Sequence, residues 1–321
     1  MWRRPVATVL MLIIAVILTL PMRAQQKPFT QEQIRDMVRA GLGDDSGAKL
    51  IEQRGIDPAL WNMPTEDFIQ SLKTAGASEA FLTTLRAAEA QQAEFRQHVV
   101  RGLVLDKKGQ YAQAEQEWRE ALRLNPDNGT VLCGLGNALA SKGDLDGAIA
   151  EYRVALRLNP SDGTAHSGLG DALETKGNLD GAIAEYRTAL RLNPRDGGMH
   201  YQLGMALEKK GDLDGAIAEY RAALRLNPNN DNAQFNDGHV HFALGTALGK
   251  KGDQEGRIAE YREASRLNPD DDLAHFGLGV ALEEKGDRRG ALAEYRAANM
   301  LDPKDADYKQ NYERLLRELS Q

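Results

Sequence analysis

His239 and His241, two histidines separated by a single residue, are the side chains of this chain that most readily suggest metal chemistry. In an extended segment, two imidazoles at this spacing can bind one ion. In a helix they point in different directions and cannot chelate together. His241 also belongs to a set of histidines that recurs along the chain, so we interpret it as a structural residue that faces the following helix. We predict no metal site.

The recurring histidines stand about one structural repeat apart, which is too far for two of them to share an ion. They are His98, His166, His200, His241 and His275. If they are buried and neutral, their pKa lies below the ordinary value of about 6.5. The protein should then lose stability as the pH drops through that value.

Other catalytic signals are weak. Gly134-Leu135-Gly136 looks like a fragment of a nucleotide-binding glycine loop, but no predicted strand precedes it and the third glycine is missing. Cys133 is the only cysteine, which excludes an internal disulfide. No Ser-His-Asp, Cys-His or paired-carboxylate arrangement stands apart from the repeating pattern. We therefore predict a protein that is not an enzyme and needs no cofactor.

The elements that would position these residues repeat along the chain. The phrase KGDLDGAIAEYR occupies residues 142–153 and returns unchanged at 210–221, and Asn-Pro or Asp-Pro pairs recur every 34 residues, with one interval of 41. A fixed period of this length predicts stacked repeats. Each period holds two apolar stretches at helical spacing, so each repeat should be a helix hairpin. Gly143 should end the first helix and Asp144 should cap the second.

The recurring Leu-Gly pair, small residue, aromatic residue and terminal proline resemble the tetratricopeptide (TPR) repeat family. The resemblance covers residues 95–303 and implies an all-α solenoid of helix hairpins that acts as an interaction scaffold. Residues 306–321 should form a capping helix. We assign six repeats: 95–128, 129–162, 163–196, 197–230, 231–271 and 272–305.

The fifth repeat departs from the others in two ways. It carries seven extra residues between Asn229 and Asp237, which form either an extension of its first helix or a loop. They represent either drift in a redundant array or a functional hinge or ligand lip. Arg257 replaces a small residue, while Gln254 and Ser265 replace leucines. We therefore expect this repeat to have the loosest packing of the middle repeats.

The chain begins with the layout of a secretory signal, in which Arg3 and Arg4 precede an apolar run from Val6 to Leu20. Residues 1–24 are predicted to be cleaved, because fifteen apolar residues fall short of the roughly 20 that a membrane span needs. The large Met22 near the junction leaves an uncleaved anchor as the alternative. Residues 25–90 are predicted to form a separate module of four short helices, over 30–39, 48–54, 65–74 and 78–88.

The formal net charge of −7 becomes −10 once the three arginines of the signal are removed, which argues against nucleic acid as a partner. In a curled stack of hairpins the first helices line the concave side, so their variable side chains should meet the ligand. TPR proteins that hold acidic carboxyl tails use lysine and arginine there, and only an asparagine matches here. The predicted groove residues are Asn137, Asp171, Tyr201, Met205, Phe242, Thr246, Phe276 and Val280.

We therefore predict an exported scaffold, periplasmic or extracellular, that binds a protein or peptide segment with apolar anchors near Tyr201, Phe242 and Phe276. One alternative is a membrane-tethered assembly component that faces outward from the inner membrane, if the signal is not cut. The other is a glycan-binding or enzyme-accessory module, because aromatic side chains can stack on sugar rings.

Overall fold

The computed structural model describes residues 29–54, 65–226 and 237–320. The predicted signal at 1–24 and all of the fifth-repeat insertion except Asp237 lie outside these ranges. Within them the chain folds into sixteen helices, and the predicted all-α fold of helix hairpins is confirmed. None of these helices, as far as the described residues go, has the length and apolar character that a membrane span requires. The chain divides into two compact units, the first ending at Val131 and the second beginning at Leu132.

The first unit contains five described helices. Their bounds are α1 Gln31–Arg39, α2 Asp45–Arg54, α3 Thr65–Thr74, α4 Glu79–Lys107 and α5 Tyr111–Leu124. Thr30 closes a capping box at the start of α1, and the Ser78 hydroxyl accepts a hydrogen bond from the Phe81 amide at the start of α4. The core of the N-terminal helices is built from buried aliphatic and phenylalanine side chains, among them Ile34, Ile51, Phe68, Phe81 and Leu85.

The helix predicted at 78–88 does not end there. It continues as α4 through 29 residues to Lys107, so the same helix serves the N-terminal core and the first hairpin. The stretch after residue 88 is rich in Ala, Glu and Gln, which favour helix, and no proline interrupts it. The helix ends before Gly109, which adopts a positive φ of 69°.

The first hairpin, α4 and α5, replaces the repeated tyrosine with tryptophan. The Trp118 ring packs on Gly102, where an added Cβ would lie 2.8 Å from the ring. The Trp118 Nε1–H donates to the Asp106 carboxylate at 2.9 Å. Burial raises the pKa of Asp106, although this hydrogen bond lowers it. The tryptophan thus fills the space between the two helices of its own hairpin.

The second unit repeats one hairpin five times and adds a final helix. The hairpins are α6 Gly129–Ser141 with α7 Leu145–Leu158, α8 Gly163–Thr175 with α9 Leu179–Leu192, α10 Gly197–Lys210 with α11 Leu213–Leu226, α12 Asp237–Lys250 with α13 Gln254–Leu267, and α14 Asp272–Glu284 with α15 Arg288–Leu301; the final helix is α16 Ala306–Leu319. We number them as the second to the sixth hairpin, after the first hairpin of α4 and α5.

Each hairpin turn follows the chemistry expected from its sequence. Gly211 has a φ of 89° and ends α10, because a left-handed backbone suits glycine. At the start of α7 the Asp144 side chain accepts from the Gly147 amide at 2.9 Å. Between the two helices, Gly136 lies against the ring of Tyr152, where a Cβ would be 2.7 Å away. The absence of a side chain on the glycine of one helix therefore leaves room for the tyrosine ring of the other.

Successive hairpins are also joined by surface ion pairs. The lysine of one turn pairs with an acidic residue at the start of the second helix of the preceding hairpin. These pairs are Lys176–Asp146, Lys210–Asp180, Lys251–Asp214 and Lys285–Glu255. Because the side chains are largely exposed, each pair is worth about 0–1 kcal/mol. The apolar side chains buried within the stack, among them Ala148, Tyr152 and Ala182, add stability by the burial of apolar surface.

The final helix packs on the sixth hairpin. Tyr308 and Leu315 of α16 are buried, and the Tyr308 ring lies 4.8 Å from that of Phe276, between centroids. Leu315 belongs to the same apolar cluster as Leu278 and Tyr295. The opposite side of α16 is polar. This helix therefore covers apolar surface that a further hairpin would otherwise contact.

Candidate functional site

Each repeated tyrosine of the second unit points its hydroxyl at the first helix of its own hairpin. The hydroxyl donates to a side chain that lies one residue or four residues after the glycine of the Leu-Gly pair, or to both. The contacts are Tyr152 to Asn137 at 2.5 Å, Tyr186 to Asp171 at 2.7 Å and Glu174 at 2.8 Å, Tyr220 to Glu208 at 2.8 Å, Tyr261 to Thr246 at 3.0 Å and Tyr295 to Glu283 at 2.8 Å. Three predicted groove residues are thus partners of the buried tyrosines.

At most junctions between successive hairpins, a charged pair lies beside the hydroxyl of the repeated tyrosine. Where Glu174, Glu208 or Glu283 accepts the tyrosine hydroxyl, a cation from the next element holds the same carboxylate. The pairs are Glu174–Lys209 at 2.6 Å, Glu208–Lys250 at 2.7 Å and Glu283–Arg314, which is bidentate at 2.8 Å. The Arg314 bond is the largest cause that lowers the pKa of Glu283.

The space between the fifth and sixth hairpins is also filled, but by different residues. Gly249 stands where the others have glutamate, and the Arg257 side chain crosses that space, since a Cβ on Gly249 would lie 2.6 Å from Arg257 Cδ. Arg257 then donates to Glu284 at 2.6 Å and to Gln254 at 3.3 Å. The predicted loose packing is wrong around Arg257, because the arginine fills the volume that the missing glutamate leaves and pairs with Glu284, which stands at the lysine position.

One junction of the second unit lacks this filling. Between the second and third hairpins, Ala140 and Thr175 occupy the positions of the glutamate and the lysine. A cleft of about 270 Å³ opens there, at the meeting of α6, α7 and α8. Its wall is formed by Asn137, Ala140, Ser141, Leu145, Tyr152, Gly168, Asp171, Ala172 and Thr175. We call this the open junction, and the four junctions that follow it the closed junctions.

The wall of the open junction mixes apolar and polar side chains, and it carries a carboxylate but no lysine or arginine. The surroundings of Asp171 raise the pKa of its carboxyl by desolvation, its hydrogen bond from Tyr186 lowers it, and the neighbouring Glu174 raises it. Burial is also the main reason that the pKa of Tyr152 is raised. The arrangement offers acceptor oxygens to a ligand, and the residues of its wall include no nucleophile or general base poised for chemistry.

The aromatic residues predicted as groove anchors are half-buried against the repeated tyrosines. Tyr201 lies 5.8 Å from Tyr220 between ring centroids, and Phe242 lies 5.0 Å from Tyr261. Phe276 lies 5.6 Å from Tyr295, in addition to its contact with α16. These rings cover the tyrosines of the fourth to sixth hairpins. At the equivalent positions the second and third hairpins have Cys133 and Ser167, whose side chains are too small to do so.

The eight predicted groove residues all lie on first helices, and their contacts differ from one hairpin to the next. Asn137 and Asp171 both line the open junction. Phe242, Phe276 and Val280 pack against the apolar cluster of the last two hairpins. Met205 is half-buried on α10, and Thr246 binds Tyr261.

Sequence reasoning missed Ala140, Thr175 and the tyrosine ring of the cleft. The signal was present in two columns of the repeat, four and five residues after the glycine of each Leu-Gly pair. A junction between two hairpins of the second unit combines the first of these positions from one hairpin with the second position from the next hairpin. Each such pair includes at least one charged residue, except the pair of Ala140 and Thr175.

The recurring histidines face the second helix of their own hairpins, as predicted, with 12–19% of each side chain exposed. In each pair the histidine Nδ1 lies 2.6 Å from a glutamate Oε2. The pairs are His98–Glu117, His166–Glu185, His200–Glu219, His241–Glu260 and His275–Glu294. His239, by contrast, is exposed on α12. Within the described residues no group of three or more potential ligands could hold a metal ion.

The expected lowering of the histidine pKa is wrong for His275. The hydrogen bond with Glu294 raises the pKa of His275, against the lowering effect of burial. Protonation is therefore favoured in the folded state. The stability it contributes is full below the ordinary pKa of about 6.5 and is lost as the pH rises through the folded value, which is opposite to the expected direction.

Comparisons with known proteins agree with the repeat architecture. A family model described as a tetratricopeptide repeat matches residues 99–163, 152–196 and 167–231, and a model described as a TPR repeat matches residues 246–286. No curated protein sequence matches the chain.

Two solved structures illustrate the similarity. The crystal structure of YrrB, described as a TPR protein with an unusual peptide-binding site, is 25% identical, with a TM-score of 0.50, and the match covers 60% of this chain and 96% of YrrB. The structure of pilF from Pseudomonas aeruginosa is 18% identical, with a TM-score of 0.59 and coverage of 71% and 99%, and it shows a similarity of fold alone.

Proposed function

Because the chain belongs to the tetratricopeptide repeat family, whose models match more than half of it, we propose that it is an exported scaffold that binds a polypeptide segment on the first helices of its second unit. Proteins with this repeat fold are typically interaction scaffolds without catalytic activity. The observation that carries the proposal is the open junction, a cleft of mixed polar and apolar wall between α6 and α8, whose equivalent space is filled at the closed junctions.

The geometry favours a segment rather than a small molecule. The cleft is shallow and joins the exposed Asn137 and Asp171 on adjacent first helices. A chain that follows these helices next meets Tyr201 and Met205 on α10, which are half-buried and keep part of their surface accessible. Polar recognition at one end and aromatic surface at the other suit a peptide with mixed side chains.

The similarity to YrrB supports a peptide as the class of ligand. That structure is described as having an unusual peptide-binding site, and its match extends over 60% of this chain. A glycan is less well supported, because the phenylalanine rings that could stack on sugars pack against Tyr261, Tyr295 and Tyr308.

Binding can be tested with random peptides displayed on phage and selected against the full chain. The double variant A140E/T175K introduces the glutamate and lysine of the neighbouring junction and should close the cleft. We expect selected peptides to bind it at least about tenfold more weakly than the wild type, a loss of about 1.4 kcal/mol. The matched control is Asp180→Asn, which removes an exposed carboxylate outside the cleft and should bind as the wild type does. Selection of no peptides, or equal binding by the closed variant, would contradict the proposed site.

Export is supported by Arg3 and Arg4 ahead of the apolar run that ends at Leu20. Expression in a bacterial host, followed by fractionation and N-terminal sequencing, tests it. We expect a soluble exported protein whose first residue lies near residue 25. An intact N-terminus in the membrane fraction would support the tethered alternative, and retention in the cytoplasm would refute export.

A further inference from the structure

The charges around the repeated tyrosines follow a rule with one exception. Wherever a glutamate accepts the tyrosine hydroxyl in the second unit, a lysine or arginine from the next element binds that glutamate. Asp171 also accepts a tyrosine hydroxyl, from Tyr186. Among the described residues, no lysine or arginine forms an ion pair with it. Asp171 lies three residues before the glutamate position of α8, and it is a carboxylate that accepts a tyrosine hydroxyl without a paired cation.

A threonine occupies the position of the closed-junction lysine at the open junction. Lys209 of the fourth hairpin reaches back to Glu174, and its equivalent in the third hairpin is Thr175, whose hydroxyl donates to the backbone carbonyl of Asp171. The short threonine side chain cannot supply a charge. It leaves the cleft of about 270 Å³ directly beside the Asp171 carboxylate.

We propose that the open junction is a subsite for a lysine or arginine side chain of the bound polypeptide, whose cation pairs with Asp171. This inference rests on the proposed function and adds the chemistry of the ligand to it. The incoming cation would enter the space that Lys209 and Lys250 fill at the next two junctions, with Asp171 as its partner because Ala140 replaces the glutamate.

The rest of the wall suits a cation. The Tyr152 ring is buried against Gly136 and Gly168, so the wall meets a cation with polar atoms rather than with a ring face. Asn137 lies at the same level and adds an amide that can exchange hydrogen bonds with the ligand backbone. An acidic side chain would meet Asp171 with like charge and without compensation. The subsite therefore selects against the acidic segments that other scaffolds of this family bind with lysine and arginine.

The test uses the peptides selected on phage, synthesised in matched pairs. In one member of each pair the basic residue is kept, and in the other it is replaced by citrulline or norleucine, which preserve length without charge. We expect the neutral peptide to bind the wild type about tenfold more weakly. We also expect D171N to weaken the basic peptide by a similar factor and to leave the neutral peptide unchanged, with D180N as the control and circular dichroism as the check of folding.

The outcomes separate the two proposals. If selected peptides lose binding to A140E/T175K but neither D171N nor citrulline affects them, the cleft binds peptide and the cation inference is overturned. If the basic peptide binds D171N as tightly as the wild type, Asp171 is not its partner, and the inference is also overturned. If no peptide depends on the cleft, the proposed function fails first. Coupled losses from citrulline and D171N, non-additive when combined, support the inference.

Discussion

The open junction lies between α6 and α8, and the closed junctions follow it along the chain. All of them have the same hairpin backbone, but the closed junctions are filled by side chains and the open junction is not. At the closed junctions a charged pair, or Arg257, occupies the space between hairpins, and at the last three of them an aromatic side chain also covers the repeated tyrosine. At the open junction the same positions hold cysteine, serine, alanine and threonine, and a cleft remains. In a repeat protein a binding site can thus arise from removing the side chains that join neighbouring repeats.

The largest expected effect concerns the rings of the closed junctions. Phe242→Ala removes a side chain stacked on Tyr261 and should lower the free energy of unfolding by about 2 kcal/mol, less than a fully buried phenylalanine would cost. Ser167→Ala at the equivalent position of the third hairpin should change it by less than about 0.5 kcal/mol. Urea denaturation measures both. Equal, small effects would mean that Phe242 is available to a ligand rather than committed to packing.

A smaller effect is expected for the charged pair at the last closed junction. Arg314→Ala leaves Glu283 with only the Tyr295 hydroxyl as a hydrogen-bond partner and should cost about 1–2 kcal/mol. Thr175→Ala, at the position of the missing lysine, should cost less than about 0.5 kcal/mol. Thermal denaturation of the two variants compares them. A costly Thr175→Ala would indicate that the open junction is a structural element in its own right.

Closing the open junction should affect stability less than it affects binding. A140E/T175K adds a partly exposed ion pair and a glutamate acceptor for Tyr152, and should raise the free energy of unfolding by about 0.5 kcal/mol. Urea midpoints measured at low and high salt test this, because screening should reduce the gain. A loss of more than about 1 kcal/mol would show that the two junctions are not interchangeable.

The smallest effect concerns a feature that both regions share, the histidine–glutamate pair. The pKa of His275 is raised by Glu294, with the Pro269 carbonyl and Asp271 acting in the same direction. His275→Gln should therefore destabilise the protein more at about pH 5.5 than at about pH 8, with a difference below about 1 kcal/mol. Melting temperatures of wild type and variant at both values provide the measurement. A larger cost at the higher pH would reverse the assigned sign.

Much of the fold could be predicted because each repeat has a local cause. Gly211 ends a helix through its own backbone conformation, Asp144 caps the next, and the period of 34 residues sets the unit. The end of the predicted helix at 78–88 could not be found in this way. Good helix formers continue past residue 88, and only the structure shows that α4 serves both the N-terminal core and the first hairpin.

The candidate site was predicted in part. Asn137 and Asp171 were identified because they stand at variable positions of first helices, and the cleft contains both. Phe242 and Phe276 fit the same pattern but pack on the tyrosines, because variability at a position does not reveal which neighbour its side chain will meet. From the sequence, Arg257 was expected to loosen the packing of its repeat. The structure shows that its side chain fills the space beside Gly249.

The sequence by itself determined the helix hairpin, its turns and its repetition, because these depend on residues close together along the chain. The tertiary structure decided which repeats are joined and which are left open. A junction consists of positions about 35 residues apart, such as Glu174 and Lys209, and whether they form a pair or a cleft depends on the distance between two helices. Nothing in the sequence around Ala140 or around Thr175 indicates a binding site. The two residues line a cleft only because the stack places α6 beside α8.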